Sequence, residues 1–104
     1  AGNYCDNRYG AATCTGRGEI AITLNTTRTI ISYMENGLSV REACFRAMKD
    51  VQELNHPGSM SCLGVDRWGK TTSASTRNGR ESVYYYMDIK SKEPEKRSGV
   101  NVRK

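Results

Sequence analysis

The sequence predicts an α+β fold, in which one strand and two antiparallel helices precede an antiparallel strand set. Three observations carry that expectation. Apolar side chains repeat at helical spacing over residues 20–34, a capping box at Ser39 opens a second helix, and a hairpin pattern follows residue 59.

The first strand is expected over Tyr9 to Thr15, whose small residues suit a sheet, and Gly16-Arg17-Gly18-Glu19 then turns the chain. Ile20, Leu24, Thr27, Ile31 and Met34 are spaced four, three, four and three apart, which is one stripe of a single helix. Gly37 suits the left-handed residue that closes it. Ser39 and Glu42 have the spacing of an N-cap and its reciprocal partner. The helix they start should bury Val40, Ala43, Cys44, Ala47, Met48, Val51 and Leu54. A connection of about three residues makes the two helices antiparallel neighbours. His56-Pro57-Gly58 breaks the pattern, so the single histidine reads as a turn residue.

Met60 to Val65 and Lys70 to Thr76 then flank Asp66-Arg67-Trp68-Gly69, a hairpin with Gly69 at the bulge position. The run Ser82 to Ile89 alternates Val83, Tyr85 and Met87 against Ser82, Tyr84 and Tyr86, so one face of that strand is the more apolar. Consecutive tyrosines on a strand point to opposite faces. They form no single stacking platform, and packing is the expected role.

Composition bounds the function classes. The 104 residues are 37% apolar, which is low for a self-sufficient core and favours a partner that covers the sheet. Residues 90–104 hold six basic and two acidic side chains, leaving ten basic and nine acidic in the first 89. The excess charge of the chain therefore sits in its tail and defines no nucleic-acid face. Residues 1–90 are expected to form one domain and 91–104 a basic, flexible tail. Cys5, Cys14, Cys44 and Cys62 lack zinc spacing and read as free thiols, which mildly favours a reducing compartment such as the cytoplasm. Neither a metal set, a cofactor motif nor a membrane span is legible.

One segment points to chemistry. Thr15-Gly16-Arg17-Gly18-Glu19 joins a strand to a helix, its glycines allow close approach of a ligand, and the first helical N–H groups have no internal acceptor. Such a turn suits an oxyanion or a carboxylate.

The opening AGNYCDNRYGAATCTGRGE resembles the stretch G-A-G-x-Y-A-[DN]-[DN]-x-x-x-A-x-[SA]-x-T-G-x-G-[ED] of the glycosylasparaginase and plant-type asparaginase family of N-terminal-nucleophile hydrolases, with Cys5 in place of the usual Ala. The resemblance continues in order through Met34-Glu35-x-Gly37-Leu38-Ser39, Glu42-Ala43-Cys44 and Val65-Asp66-Arg67-Trp68-Gly69. The strand Tyr84 to Ser91 is similar to the closing strand of glycosylasparaginases. Residues 1–90 are covered, and the first nineteen are the specific part.

That resemblance implies an αββα sandwich whose precursor cleaves itself and exposes an N-terminal Thr as nucleophile. It implies that Thr15 and Gly16 supply the oxyanion hole and that Gly16 and Gly18 lie against the substrate, while Glu19 supports the helix start. It also implies, as partners, an α-subunit and an upstream β-subunit segment in an (αβ)2 heterotetramer, and a small asparagine-derived substrate, with no nucleic acid, membrane, metal or other cofactor. A lysosomal or secreted location is open on the same ground. The nucleophile and the G-R-[VI]-G-D segment belong upstream of Ala1 in that pattern. Glycosylated asparagine is the expected substrate, with asparagine and β-aspartyl peptides as alternatives; a small basic nucleic-acid-binding module is the competing reading from another class. On this reading Gly16→Val is expected to lower turnover far more than stability.

Overall fold

The computed structural model describes residues 2–79 and 81–102. Strands β1 (Asn3–Asp6) and β2 (Gly10–Gly16) lead into helices α1 (Gly18–Leu24), α2 (Thr26–Glu35) and α3 (Val40–Glu53). Strands β3 (Met60–Asp66), β4 (Thr71–Ser75), β5 (Val83–Tyr86), β6 (Glu95–Ser98) and β7 (Val100–Asn101) follow. The fold is α+β, as the patterns predict. A five-stranded sheet runs β1-β2-β3-β4-β7, antiparallel except for the parallel β4–β7 edge, and β5 pairs only with β6 in a separate ribbon.

Strand alternation divides the large sheet into two chemically different faces. Across the sheet, Cys14 stands opposite Cys62 and Cys62 opposite Ala74, which places these three on one side. That side receives the helices: Ile20, Ile30, Ile31, Ala43, Cys44, Met48, Met60, Cys62 and Ala74 are buried together. Burying each of the larger side chains contributes roughly 1.5–3 kcal/mol of transfer free energy. Gly64 marks where α3 comes nearest, since a Cβ there would lie 2.8 Å from Cys44 Sγ and 2.9 Å from Val40 Cγ2. Thr13, Thr15, Ser61, Leu63, Ser73 and Ser75 point the other way, toward the ribbon.

Local chemistry explains the helix ends. Leu38 N–H donates to Tyr33 O and Gly37 N–H to Met34 O, the paired bonds of a Schellman closure, with Gly37 at φ 99°. Ser39 Oγ accepts from Glu42 N–H and donates to Glu42 Oε1, each at 3.1 Å, so Ser39 caps the helix as expected, and the Glu42 carboxylate returns to the Ser39 hydroxyl. The single first helix does not form: Asn25, at φ 50° and ψ 50°, separates α1 from α2. Asn enters the left-handed region at low cost, and the apolar stripe survives the bend because Ile20, Thr27, Ile30 and Ile31 all stay buried. Leu54, expected inside, sits at the C-cap of α3 and is 38% exposed.

Three further differences concern strands. The edge strand β1 was not expected, because Asn3, Asp6 and Asn7 give it no apolar alternation. β5 ends at Tyr86, where Asp88 accepts from Lys90 N–H and pairs with Ser91 to form a turn. Its more apolar side is the exposed one, with Tyr85 at 68%, whereas Tyr84 and Tyr86 turn inward. Residues 95–102, expected to pack little, carry β6 and β7. Val102 is buried, its N–H donates to Ser75 O, and Gln52 Nε2 donates to Val102 O at 2.6 Å. Two valines separated by one residue give the tail an apolar anchor that its charge disguises.

Candidate active site

The site grows out of the end of β2. Cys14 N–H donates to Gly2 O at 2.9 Å, on the β1 edge, and successive strand residues direct their N–H groups to opposite edges. Thr15 N–H therefore points at β3, where Ser61 stands opposite it, and Gly16 N–H returns to the β1 edge beyond the Asn3–Thr13 pair. The neighbouring bonds agree with this alternation. Met60, opposite Gly16, exchanges its backbone bonds with Thr76 instead, and Arg17 N–H donates to Ser59 O at 3.3 Å. Gly16 N–H is thus a donor at the corner of the sheet, with the exposed Thr15 side chain beside it on the outer face.

Gly16 has a backbone reason to be glycine. Its φ is 132°, and a Cβ would fall 2.4 Å from Ser59 O. Gly16→Val would therefore break the local backbone whatever the turn does in catalysis, and the expectation that it spares stability does not hold. Gly18 is different: its φ is ordinary and nothing lies within 4 Å of where a Cβ would be. No fold requirement explains that glycine. Arg17 closes the turn, with its aliphatic chain laid across Gly58, whose own Cβ would be 2.7 Å from Arg17 Cγ. Glu19 stands in the first turn of α1, where a carboxylate suits the helix start.

Thr15 opens onto a cavity of about 490 Å³ between the outer face of the sheet and the ribbon. Its walls are rich in hydroxyls. Ser61 Oγ donates to Ser75 Oγ at 2.8 Å, Ser73 Oγ and Ser82 Oγ are 2.8 Å apart, and Ser75 Oγ accepts from Arg77 N–H. Ser73, Ser75 and Ser82 are 3%, 5% and 8% exposed. Arg77 and Glu81 also line the cavity. None of these was singled out as a site residue from the sequence, although Ser73 and Ser75 recur at the period of two that sends them to one face, where register adds Ser61. A second hollow, about 660 Å³, continues along the same face past Leu63, Val65 and Tyr84 toward β1.

Cys14 and Cys62 also border the cavity, but neither offers a ready thiolate. Cys62 is buried beside Cys44, with which it hydrogen-bonds, and that bond together with burial pushes its pKa up. Burial first, and then Cys62, raises Cys14 as well. These side chains stay neutral and pack as small hydrophobes. None of the four cysteines forms a disulfide, and no cluster among the described residues has three side chains able to hold a metal. His56 is exposed in the turn after α3, its Nδ1 2.7 Å from Pro57 O, and lines neither hollow.

A strand-to-helix turn with a directed backbone donor, beside a cavity that Thr15 and several serines line, suits acyl transfer. Comparison with known proteins gives that class a family. The model described as asparaginase matches residues 1–93, and the chain belongs to that family. It is similar to the plant-type L-asparaginase of Pyrococcus furiosus, 33% identical over 95 residues, which cover 91% of this chain and 30% of the relative. The isoaspartyl peptidase/L-asparaginase of Mus musculus is 35% identical over 79 residues, covering 72% of this chain and 24% of the relative. The N(4)-(beta-N-acetylglucosaminyl)-L-asparaginase of Elizabethkingia miricola is 35% identical over 54 residues, 52% of this chain and 16% of the relative. The chain thus spans less than a third of the length of these relatives.

Proposed function

We propose that the chain is the distal part of the catalytic subunit of an amidohydrolase that cleaves the side-chain amide of an asparagine derivative. The substrate is a glycosylasparagine, or asparagine or a β-aspartyl peptide. The observation that carries this reading is the corner at the end of β2, where Gly16 N–H and the Thr15 side chain stand together beside an uncrowded Gly18.

In the proposed reaction an N-terminal Thr, supplied by an upstream segment after self-cleavage, attacks the amide carbon through its hydroxyl. Its own α-amine takes the proton. The carbonyl oxygen becomes an oxyanion and is met by Gly16 N–H and the Thr15 hydroxyl; donors so placed are each worth roughly 3 kcal/mol. The carbon–nitrogen bond then breaks, the leaving amine takes the proton, and water hydrolyses the β-aspartyl ester to release aspartate and restore the Thr hydroxyl. Gly18 lets the α-amino and α-carboxylate end of the substrate lie against the backbone. The outer face of the sheet, rich in hydroxyls and covered only in part by the β5–β6 ribbon, suits a second sheet in an αββα sandwich and assembly with an α-subunit as (αβ)2.

The test uses the full-length protein. Intact mass spectrometry and N-terminal sequencing are expected to find two chains, the smaller or larger of them beginning with Thr and containing residues 1–104, and ammonia or amine release from asparagine derivatives is expected to require that cleavage. A single uncleaved chain that hydrolyses none of them would remove the reading.

A further inference from the structure

We propose that Asn78 is a site of spontaneous modification, at which the backbone nitrogen of Gly79 displaces ammonia from the side-chain amide and isoaspartate results. The sequence holds two Asn-Gly pairs, Asn36-Gly37 and Asn78-Gly79. Both are exposed, and the fold treats them in opposite ways. At the first, Asn36 Nδ2 donates to Ser32 O at 2.8 Å, Asn36 N–H to the same oxygen at 3.1 Å, and Gly37 N–H to Met34 O at 3.1 Å. The nitrogen that would attack and the amide it would attack are therefore both held in the helix closure. Asn78-Gly79 is instead a turn between β4 and β5, with Gly79 at φ 79° and nothing within 4 Å of where its Cβ would lie. Among the described residues, no hydrogen bond holds the Asn78 side chain or the Gly79 N–H.

Glycine matters here because the attacking nitrogen must reach Asn78 Cγ, and a Cβ on its own residue would crowd that approach. The Gly79 N–H gives its proton to hydroxide, and a bond forms from the nitrogen to Cγ. The Cγ–Nδ2 bond then breaks, and ammonia leaves with a proton from water. The cyclic imide that remains is opened by water at either carbonyl. Opening at the main-chain carbonyl of Asn78 leaves the peptide link on Cγ, which is isoaspartate; opening at Cγ gives aspartate. Arg77 and Arg80 flank the pair in sequence, and positive neighbours favour the anionic nitrogen and the carboxylate that follows. The position gives the product a consequence. Arg77 N–H is fixed by Ser75 Oγ at 3.1 Å and Ser82 N–H by Asn101 Oδ1 at 2.8 Å, so Asn78 lies in a link between two anchored ends. Isoaspartate adds a methylene to that link and a negative charge next to Arg77.

The experiment incubates the full-length protein at mildly alkaline pH, natively and in denaturant, and follows both Asn-Gly peptides by mass spectrometry after cleavage at glutamate. In the native sample the Asn78 peptide is expected to exchange its amide for an acid at least about tenfold faster than the Asn36 peptide, because Asn36 and Gly37 react only once their hydrogen bonds are broken. In denaturant the two are expected to react at similar rates. Isoaspartate and aspartate should both form at position 78, at a rate that rises in proportion to hydroxide. Asn78→Gln, whose longer side chain must close a larger ring, should abolish the reaction there. A native Asn78 that reacts no faster than Asn36, or aspartate as the sole product, would overturn the assignment. The proposed amidohydrolase activity would stand in either case, since the reaction uses no part of its site.

Discussion

The two faces of the sheet are built by alternate residues of the same strands, yet they have opposite characters. Under the helices, Cys14, Cys62, Gly64 and Ala74 are small and close-packed, to the point that Gly64 has no room for a Cβ. On the outer face, Thr15, Ser61, Ser73 and Ser75 carry hydroxyls over open space. A face that needs only to fold is filled with what fits. A face that keeps buried hydroxyls has to pair them, because a desolvated polar group is costly unless it is hydrogen-bonded. The serine pairs Ser61–Ser75 and Ser73–Ser82 meet that cost within the chain.

Substitutions on either side of this divide should differ in kind. The largest effect on folding is expected on the helix side: Ile31→Ala, at a fully buried position, should cost about 2–5 kcal/mol in chemical denaturation. A loss below that range would mean that the helices do not form the core described. On the outer face Ser75→Ala removes an acceptor for both Ser61 Oγ and Arg77 N–H, and a smaller loss of about 1 kcal/mol is expected, together with a greater proportional loss of turnover. Equal falls in stability and rate would make that serine merely structural.

The smallest effect belongs to neither face. The Arg8 side chain, and then the Arg8 N–H, hold the Asp6 carboxyl down at about 2. A depressed carboxyl contributes stability above its unfolded value, near 3.8, and that contribution is lost as pH falls through about 2. Because the pair is fully exposed, Asp6→Asn should flatten the acid limb of a thermal-stability profile only between those values, and less so in high salt. A change near neutral pH would contradict this assignment.

Much of the helix side was legible from sequence because it follows simple periodicities. The repeat through Ile20, Thr27 and Ile31, the Ser39 capping box and the Gly37 closure each need only local rules. What sequence missed depends on context. Asn25 bends the first helix through one left-handed residue that leaves the stripe undisturbed, and β1 is an exposed edge whose partner strand, not its own pattern, makes it a strand. Val100 and Val102 anchor a charged tail through pairing with β4 and a bond from Gln52. At the site, the Thr15-Gly16-Arg17-Gly18 turn stood out as a motif, but Arg77 and the serines emerge only once register brings residues sixty positions apart onto one surface. The motif also could not say why each glycine is there. Gly16 answers to Ser59 O, and Gly18 answers to nothing among the described residues.

That contrast supplies the most direct test. Gly18→Ala places a methyl group in open space at the first position of α1, where alanine should hold or raise stability by up to about 1 kcal/mol. If substrate lies against that backbone, the cleaved full-length protein carrying Gly18→Ala should melt at the native temperature or slightly above it and yet lose at least about tenfold in kcat/KM, mainly through KM. Native kinetics in that stable variant would contradict the placement of the substrate at the end of β2.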